Sequence, residues 1–490
     1  MHRGEVSSTH GTDGIQGILH TDGYKLSMAE AGYPLRRETF YYTHRRGGPQ
    51  LWLIDTEREV RALLPTLADG DLADLARAGY PMGEGFRAAI AGTVTITSLP
   101  KGAWFLPGEP VFSITGPSAL VSWLEPQLLM WSFRAQVATL ALTDRAALAA
   151  AVAVVSCTPE ADIVREVLDS IHEPAPKMDI RADEVRAGAK ARAAALVLAV
   201  GDPDRIFEVG LRAATSLEHH RLALEGCFEA GIRRTSHVAL AKELGMIAVG
   251  TMGHEHVQRF GADEAAFRAM KDRRPQRSSF LLDTFDTLRS GLPSALRVMA
   301  ETPDAGDSIR YDSGDKELQL RTAHARAKAE EIDLVHILED GFDLPLTERF
   351  ERIRKELGIP PDKLYYGYGG HLVGRGTLTR DRVAAVYKLS QSGTMAVMKF
   401  SDDAGKKNIP GEPVVFRRRR GEGPVGIIGQ RGETVPEGYE VLSGASNDRS
   451  ERPTTERIEL SPATEALAAT CEARRQSNLE PESRREQEVS

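Results

Sequence analysis

Residues 245–256 read GMIAVGTMGHEH: an apolar, β-branched run stops at glycine and threonine, and two histidines flank a glutamate just beyond. A buried strand that surfaces in a polar loop has this composition. The metalloprotease pattern His-Glu-x-x-His is excluded, because the residue four after His254 is Gln258 and ligands on one helical face need that spacing. The stretch takes its meaning from recurrence. RIFEVGLRAAT (205–215), GIRRTSHVAL (231–240), SSFLLDTFDT (278–287), SIRYDSGD (308–315), DLVHILEDGFD (333–343) and KLYYGYGGHLVGRG (363–376) repeat the form, each followed by a helical stretch. Their spacing, roughly 20 to 30 residues, is that of a βα unit. Polar chemistry follows every strand instead of gathering at one switch point. The units are therefore expected to form an irregular (β/α) barrel whose loops converge on one mouth.

Around that core, 490 residues at 41% hydrophobic and 27% charged describe an ordinary globular protein of two or three domains. No run approaches the roughly 20 apolar residues of a membrane helix, and MHRGEVSSTHGTDG has no signal-peptide core, so a cytoplasmic protein without a membrane partner is expected. The net charge of −8 argues against nucleic acid, and FRRRRGEG (416–423) reads as a solvated basic face. Cys157, Cys227 and Cys471 form no close pair, which excludes a cysteine zinc site. The expected organisation is a flexible lead (1–14), a discontinuous α+β domain (15–150 plus 390–443), the barrel (151–389) and a charged, disordered tail (444–490) in which ATEALAATCEARRQ could still form a helix. SALVSWLEPQLLMWSFRAQVATLALTDRAALAAA (118–151) reads as buried helix, and His219–His220 as a helix surface.

Convergence of the loops gathers Arg212, Thr235, Ser236, Thr251, His254, Asp283, Arg310, Asp312, Ser313, Asp315, Asp340, Gly369 and Gly370 at the mouth. Arginines pair with phosphate or carboxylate, bare glycines let backbone N–H groups reach a phosphate, and carboxylates take ribose hydroxyls or Mg²⁺. Neither a Walker A loop nor a dinucleotide fingerprint is present. A phosphoribosyl substrate fits this inventory better than a dinucleotide.

Seven stretches in order resemble the nicotinate phosphoribosyltransferases, of the type II phosphoribosyltransferase fold, over about residues 17 to 440. They are TDGYKLSMAEAGY (21–33), FEVGLR (207–212), RTSHVALAKELGM (234–246), GTMGHEH (250–256), LLDTFDT (281–287), IRYDSGD (309–315) and VYKLSQSGTMAVMKFSDDAGKKNIPG (386–411). The resemblance implies synthesis of nicotinate mononucleotide from nicotinate and phosphoribosyl pyrophosphate, coupled to ATP hydrolysis through a phosphohistidine, with Mg²⁺. It implies a homodimer, in which the partner's copy of the Tyr24 segment completes each site.

By the same resemblance His254 is the phosphoacceptor and Asp283 the carboxylate that fixes its tautomer. Glu255 and His256 orient or pack. Tyr24 and Arg212 match the groups on the two faces of the pyridine ring, and Thr251 and Arg310 match nicotinate contacts. Asp312 and Ser313 match the ribose loop, Gly369 and Gly370 the 5-phosphate loop, and Arg46, with Arg45 nearly equivalent, a pyrophosphate contact. Metal ligands are not assigned. Ser236 stands where nicotinamide enzymes carry aspartate, so nicotinate is the expected base. Two departures stand out: Arg234 replaces a usual glycine and His237 a usual asparagine. The alternatives are a nicotinamide enzyme and a non-catalytic nucleotide-binding relative; a quinolinate enzyme is disfavoured by Tyr24 and the phosphohistidine motif.

Overall fold

The computed structural model describes residues 17–276, 278–304, 306–374, 376–400, 407–419, 423–442, 452–453 and 457–479; the expected flexible lead lies outside them. Seven parallel strands form the central sheet: β1 (Ile206–Glu208), β2 (Arg234–Thr235), β3 (Ile247–Ala248), β4 (Ser279–Leu281), β5 (Ser308–Tyr311), β6 (Val335–Leu338) and β7 (Leu364–Tyr368). Their order is β3-β2-β1-β7-β6-β5-β4, so the last strand pairs with the first and the sheet curls as a barrel. Among the described residues no pairing joins β3 to β4. This is the irregular α/β barrel expected, with one side open.

β1, β4 and β5 are buried throughout, whereas β3 has an exposed Ile247. Helices 217–229, 238–244, 254–260, 263–273, 292–301, 316–329 and 344–356 connect them. Asp315 and Asp343 cap the helices after β5 and β6 by accepting backbone N–H groups, the role Asp favours at an N-cap. The Ala-rich stretch forms helix 182–200, stopped by Gly201 at φ 80°, and packs between helices 217–229 and 344–356. His219 and His220, expected at a helix surface, are buried instead, because helix 217–229 turns them toward β1 and the loop after β7.

Beside the barrel lies an antiparallel sheet in the order 395–396, 385–392, 37–44, 112–117, 95–98. Strand 37–44, RETFYYTH, is central and buried at seven of its eight positions, which suits its aromatic and β-branched content. Tyr42 stacks on Phe112, with ring centroids 4.9 Å apart, and Trp52, Trp131 and Tyr387 pack around Phe112. Helix 125–143 is buried along almost its whole length, as its sequence predicts. Helix 158–169 packs against it, so the chain joins the barrel only with helix 182–200, later than residue 151.

In the tail, ATEALAATCEARRQ forms the helix the sequence allows, and it docks instead of standing in solvent. Strand 458–460 pairs in parallel with strand 426–430, and helix 462–478 docks on the protein. Its Cys471 is buried, Arg474 donates to the Ala396 carbonyl at 2.9 Å, and Arg475 to that of Phe285 at 2.9 Å. These long-range contacts order a segment whose composition alone reads as solvated. In the basic run, Arg417 pairs with the buried Glu109 at 2.7 Å.

One ion pair ties the two units. Arg259, at the end of helix 254–260, donates from Nε (3.0 Å) and Nη2 (2.9 Å) to the two carboxylate oxygens of Glu38, and both side chains are essentially inaccessible. Removing one partner strands a buried charge, which costs about 3–5 kcal/mol. Arg259→Met is expected to lower the urea midpoint by that equivalent, and the double variant Glu38→Gln/Arg259→Met to recover part of it.

Candidate active site

The strand ends deliver their loops to one place. Arg212 sits in a 3-10 turn after β1, Ser236 after β2, Thr251 and His254 after β3, Asp283 after β4, Asp312 and Ser313 after β5, and Gly369 and Gly370 after β7. Arg310 lies within β5 itself. Two cavities open here, one of about 620 Å³ and one of about 170 Å³, and Tyr24, Arg212 and Arg310 line both. Those three residues form a neck between a deep chamber inside the barrel and a shallow one above it.

The neck suits a flat, anionic group. The Arg212 guanidinium lies 5.3 Å from the centre of the Tyr24 ring, a direct cation–π contact that a planar ligand would part. Tyr24 is held by its hydroxyl, which donates to the buried Glu125. Arg310 donates to the Thr251 hydroxyl and keeps its buried Nε without a hydrogen-bond partner. This chain's own Tyr24 occupies the neck, so the tyrosine that the resemblance assigned to a partner subunit is supplied within one chain.

The expected role of Ser236 needs correction. Its hydroxyl donates to Asp22 at 2.6 Å, and Asp22 is a buried carboxylate 3.5 Å from Arg212. Burial pushes the Asp22 carboxyl up, against the lowering effect of Arg212. The neck therefore contains a carboxyl group that the reading of Ser236 alone left out. His237 is buried in a chain of contacts, His20 to His237 at 3.3 Å, His237 to His220 at 3.0 Å and His220 to Glu208 at 3.1 Å. Glu208 in turn accepts from Thr235 at 2.6 Å, so the RTSH departure packs the wall beneath Ser236.

The shallow chamber is cationic. Its lining holds seven Lys or Arg side chains against four Asp or Glu, an excess that favours a polyanion such as pyrophosphate. Burial pushes Lys388 down to about 7 although Glu125 pulls the other way. Of the adjacent arginines, Arg45 lines this chamber, whereas Arg46 donates to the Asp381 carbonyl at 2.6 Å and does not line it. Gly369 and Gly370 stand outside both linings, against the Arg212 turn: a Cβ on Gly370 would come within 3.9 Å of Ala213 and 2.7 Å of Asp381.

His254 opens helix 254–260 behind Gly253. Its Nδ1 meets the Thr284 hydroxyl at 3.1 Å, and the Lys399 ammonium lies 2.5 Å from its Nε2. An ammonium can only donate, so Nε2 carries the lone pair and Nδ1 the proton. Asp283 does not make the expected imidazole hydrogen bond. It lies 3.6 Å from Nε2, accepts from Ser313 and pairs with Lys399 at 3.2 Å, while the Thr284 hydroxyl meets Nδ1. Asp312 approaches Nε2 at 3.3 Å and Lys399 at 3.5 Å. Burial would raise both carboxyls, but Lys399 and His254 hold Asp283 low and Asp312 well below the usual range. Burial, then Lys399, pushes His254 down to about 4. Glu255 holds Lys25 at 2.9 Å and His256 meets the Ala266 carbonyl at 3.0 Å, both packing roles as expected.

His254, Asp283 and Asp312 bring donor atoms within 4.8 Å of one another, the spacing of a metal site. Lys399 reaches all three. At 4 Å and an effective dielectric near 20, each unit of like charge costs about 4 kcal/mol, so a divalent ion there would face roughly twice that. Lys399 supplies the positive charge between the two carboxylates and Nε2, the place a metal ion would otherwise take. Lys399, Thr284, Asp22 and Lys388 went unassigned from sequence; both lysines lie in the last of the seven quoted stretches.

Comparison with known proteins agrees with this geometry. Nicotinate phosphoribosyltransferase of Bos taurus is 26% identical over 515 residues, covering 89% of this chain and 84% of that protein. The Bacillus subtilis enzyme of that name is 28% identical over 233 residues, 46% of each chain. Crystal structures of nicotinate phosphoribosyltransferases from Porphyromonas gingivalis (TM-score 0.56, 20% identity, 80% of this chain and 96% of that one) and Vibrio cholerae (0.57, 19%, 80% and 90%) share the fold. In sequence and in fold, this chain is similar to nicotinate phosphoribosyltransferases. No protein-family model matches it.

The electrostatics give a test. The His254 value in the fold lies below the usual 6.5, so the unfolded chain takes up the proton first, and this group withdraws stability as pH falls from about 6.5 to about 4. Ring-proton NMR is expected to show His254 neutral above pH 5. Lys399→Met is expected to raise the midpoint toward 6.5, and an unmoved midpoint would remove Lys399 from this role.

Proposed function

We propose that this protein is a cytoplasmic nicotinate phosphoribosyltransferase that joins nicotinate to phosphoribosyl pyrophosphate, coupled to ATP hydrolysis. The observation that carries the reading is the neck: a planar slot for a base opens on one side into a cation-rich chamber containing a neutral, buried imidazole. In this reading Tyr24 and Arg212 hold the two faces of the pyridine. Arg310 and Thr251 take its carboxylate. The ring nitrogen, turned to the shallow chamber, attacks the ribose carbon that bears pyrophosphate, and Arg45, Lys388 and the neighbouring cations stabilise the departing charge. Asp312, in the lining of the shallow chamber, faces the ribose, while Ser313 holds Asp283 from behind.

For the coupled step, Nε2 of His254 attacks the terminal phosphorus of ATP, forming an N–P bond as ADP leaves, and water later releases phosphate. Lys399 is placed to neutralise the incoming phosphoryl oxygens. Mg²⁺ enters this reading with the substrate phosphates and not as a resident ion. No described helix is long and apolar enough to cross a membrane, and all three cysteines are free and buried, which supports the cytoplasmic assignment.

Asp22 supports a second reading, with nicotinamide as base, because a carboxylate beside Ser236 can accept from an amide N–H₂. Incubation with phosphoribosyl pyrophosphate, ATP and Mg²⁺, with either base, decides. Nicotinate is expected to be consumed with release of pyrophosphate. Preferential loss of nicotinamide would transfer the assignment, and consumption of neither would end both. His254→Ala is expected to lower ATP hydrolysis by roughly 100-fold or more while slow base turnover persists.

A further inference from the structure

The deep chamber is far larger than the base requires. Cavities of roughly 300–1,000 Å³ hold drug-sized ligands, and this one, about 620 Å³, stands beneath a slot for a single six-membered ring. It runs the length of the barrel. Residues of β1, β2, β3, β5, β6 and β7 line it, with Val335 and Ile337 alternating along β6 and Glu339 just beyond, and its far end reaches Lys363 and Ser278, which precede β7 and β4. A closed barrel of this type fills its interior with side chains; this one, unpaired between β3 and β4 among the described residues, keeps a cavity there.

The far half of the chamber has a defined chemistry. Phe207 and Tyr365 stack with centroids 5.4 Å apart and planes at 17°, giving a flat apolar wall. The Arg234 guanidinium lies 5.7 Å from the first ring and 5.9 Å from the second. Its Nε is buried and has no hydrogen-bond partner, and among the described residues no carboxylate lies within ion-pair distance of it. A buried donor left unpaired is costly, and a ligand acceptor would recover that cost. Aromatic wall and unpaired cation together specify a planar anion.

We propose that the deep chamber binds an extension of the base, so that the site accepts 3-carboxypyridines bearing a planar, anionic aryl group on the ring carbon opposite the nitrogen. This rests on the nicotinate reading. The nitrogen must face the shallow chamber to meet the ribose, so the opposite carbon faces down the barrel. An aryl group there lies along Phe207 and Tyr365, and its terminal carboxylate meets Arg234.

Two probes test this by calorimetric titration: 4-phenylpyridine-3-carboxylate and the same molecule with a second carboxylate at the far end of the phenyl ring. The diacid is expected to bind the wild-type protein roughly tenfold tighter or better, the worth of one charge-assisted hydrogen bond. In Arg234→Gln, and independently in Arg234→Met, the ratio of the two affinities is expected to fall to about one. Equal affinities in the wild type, a ratio that survives both substitutions, or rejection of both probes by a protein that binds nicotinate would overturn the proposal. Absence of nicotinate binding and turnover would instead remove the functional reading on which it rests.

Discussion

One ammonium group holds the active mouth together. Lys399 stands within 3.5 Å of Asp283, Asp312 and His254, and Arg310 adds a second cation 3.9 Å from Asp312. Two buried carboxylates side by side would repel and take up a proton; with Lys399 between them they remain charged and the imidazole remains neutral. The lysine is held in turn. Its backbone N–H donates to Asn408, whose amide donates to the Leu389 carbonyl at 2.8 Å, and the next residue, Phe400, donates to the Thr284 carbonyl at 3.0 Å. The segment after the antiparallel sheet therefore reaches across and completes the barrel's chemistry.

The same logic explains why the two units pack so tightly. Glu38 and Arg259 fix the start of the sheet to the helix that His254 opens, and Lys25 fixes the Tyr24 helix to Glu125 and Glu255. Each is a buried charge whose cost is met only when both units are in register. Helix 462–478 adds a third brace through Arg475 on Phe285, the residue after Thr284. Charges that are expensive singly act here as alignment pins around the imidazole.

The barrel was legible in the sequence because every strand repeats one local grammar, an apolar run and then a polar loop. Strand lengths were not: β2 and β3 are two residues each, too short for any periodicity to register. Arg212, Thr251, His254 and Asp312 in loops, and Arg310 in β5, line the two adjoining cavities. What escaped was decided by partners far away in the chain. Arg45 and Arg46 are adjacent and chemically alike, and only the chamber's position distinguishes them. Thr284 rather than Asp283 meets Nδ1 because the strand end turns between them. His219 and His220 read as surface because their partners, Val373 and Glu208, lie on other elements. The docking of the tail helix was not legible because few of its side chains are buried, and those it buries depend on a surface made elsewhere.

The period of two in the strands then produces the site's division into neck and chamber. Ser236 faces the neck and Arg234, two residues earlier on the same side, faces the depth; Glu339, just beyond β6, and Ile337 stand in the same relation, as do Arg310 and Ser308 on β5. Three strands thus place a polar residue at the top and set the wall beneath it by the same pleat. A slip of one residue in any of them would turn both members of its pair outward together, so base recognition and the depth of the cavity cannot vary independently. That coupling makes the cavity below the neck consequential: the chemistry lining that space is fixed by the register that also builds the slot above it.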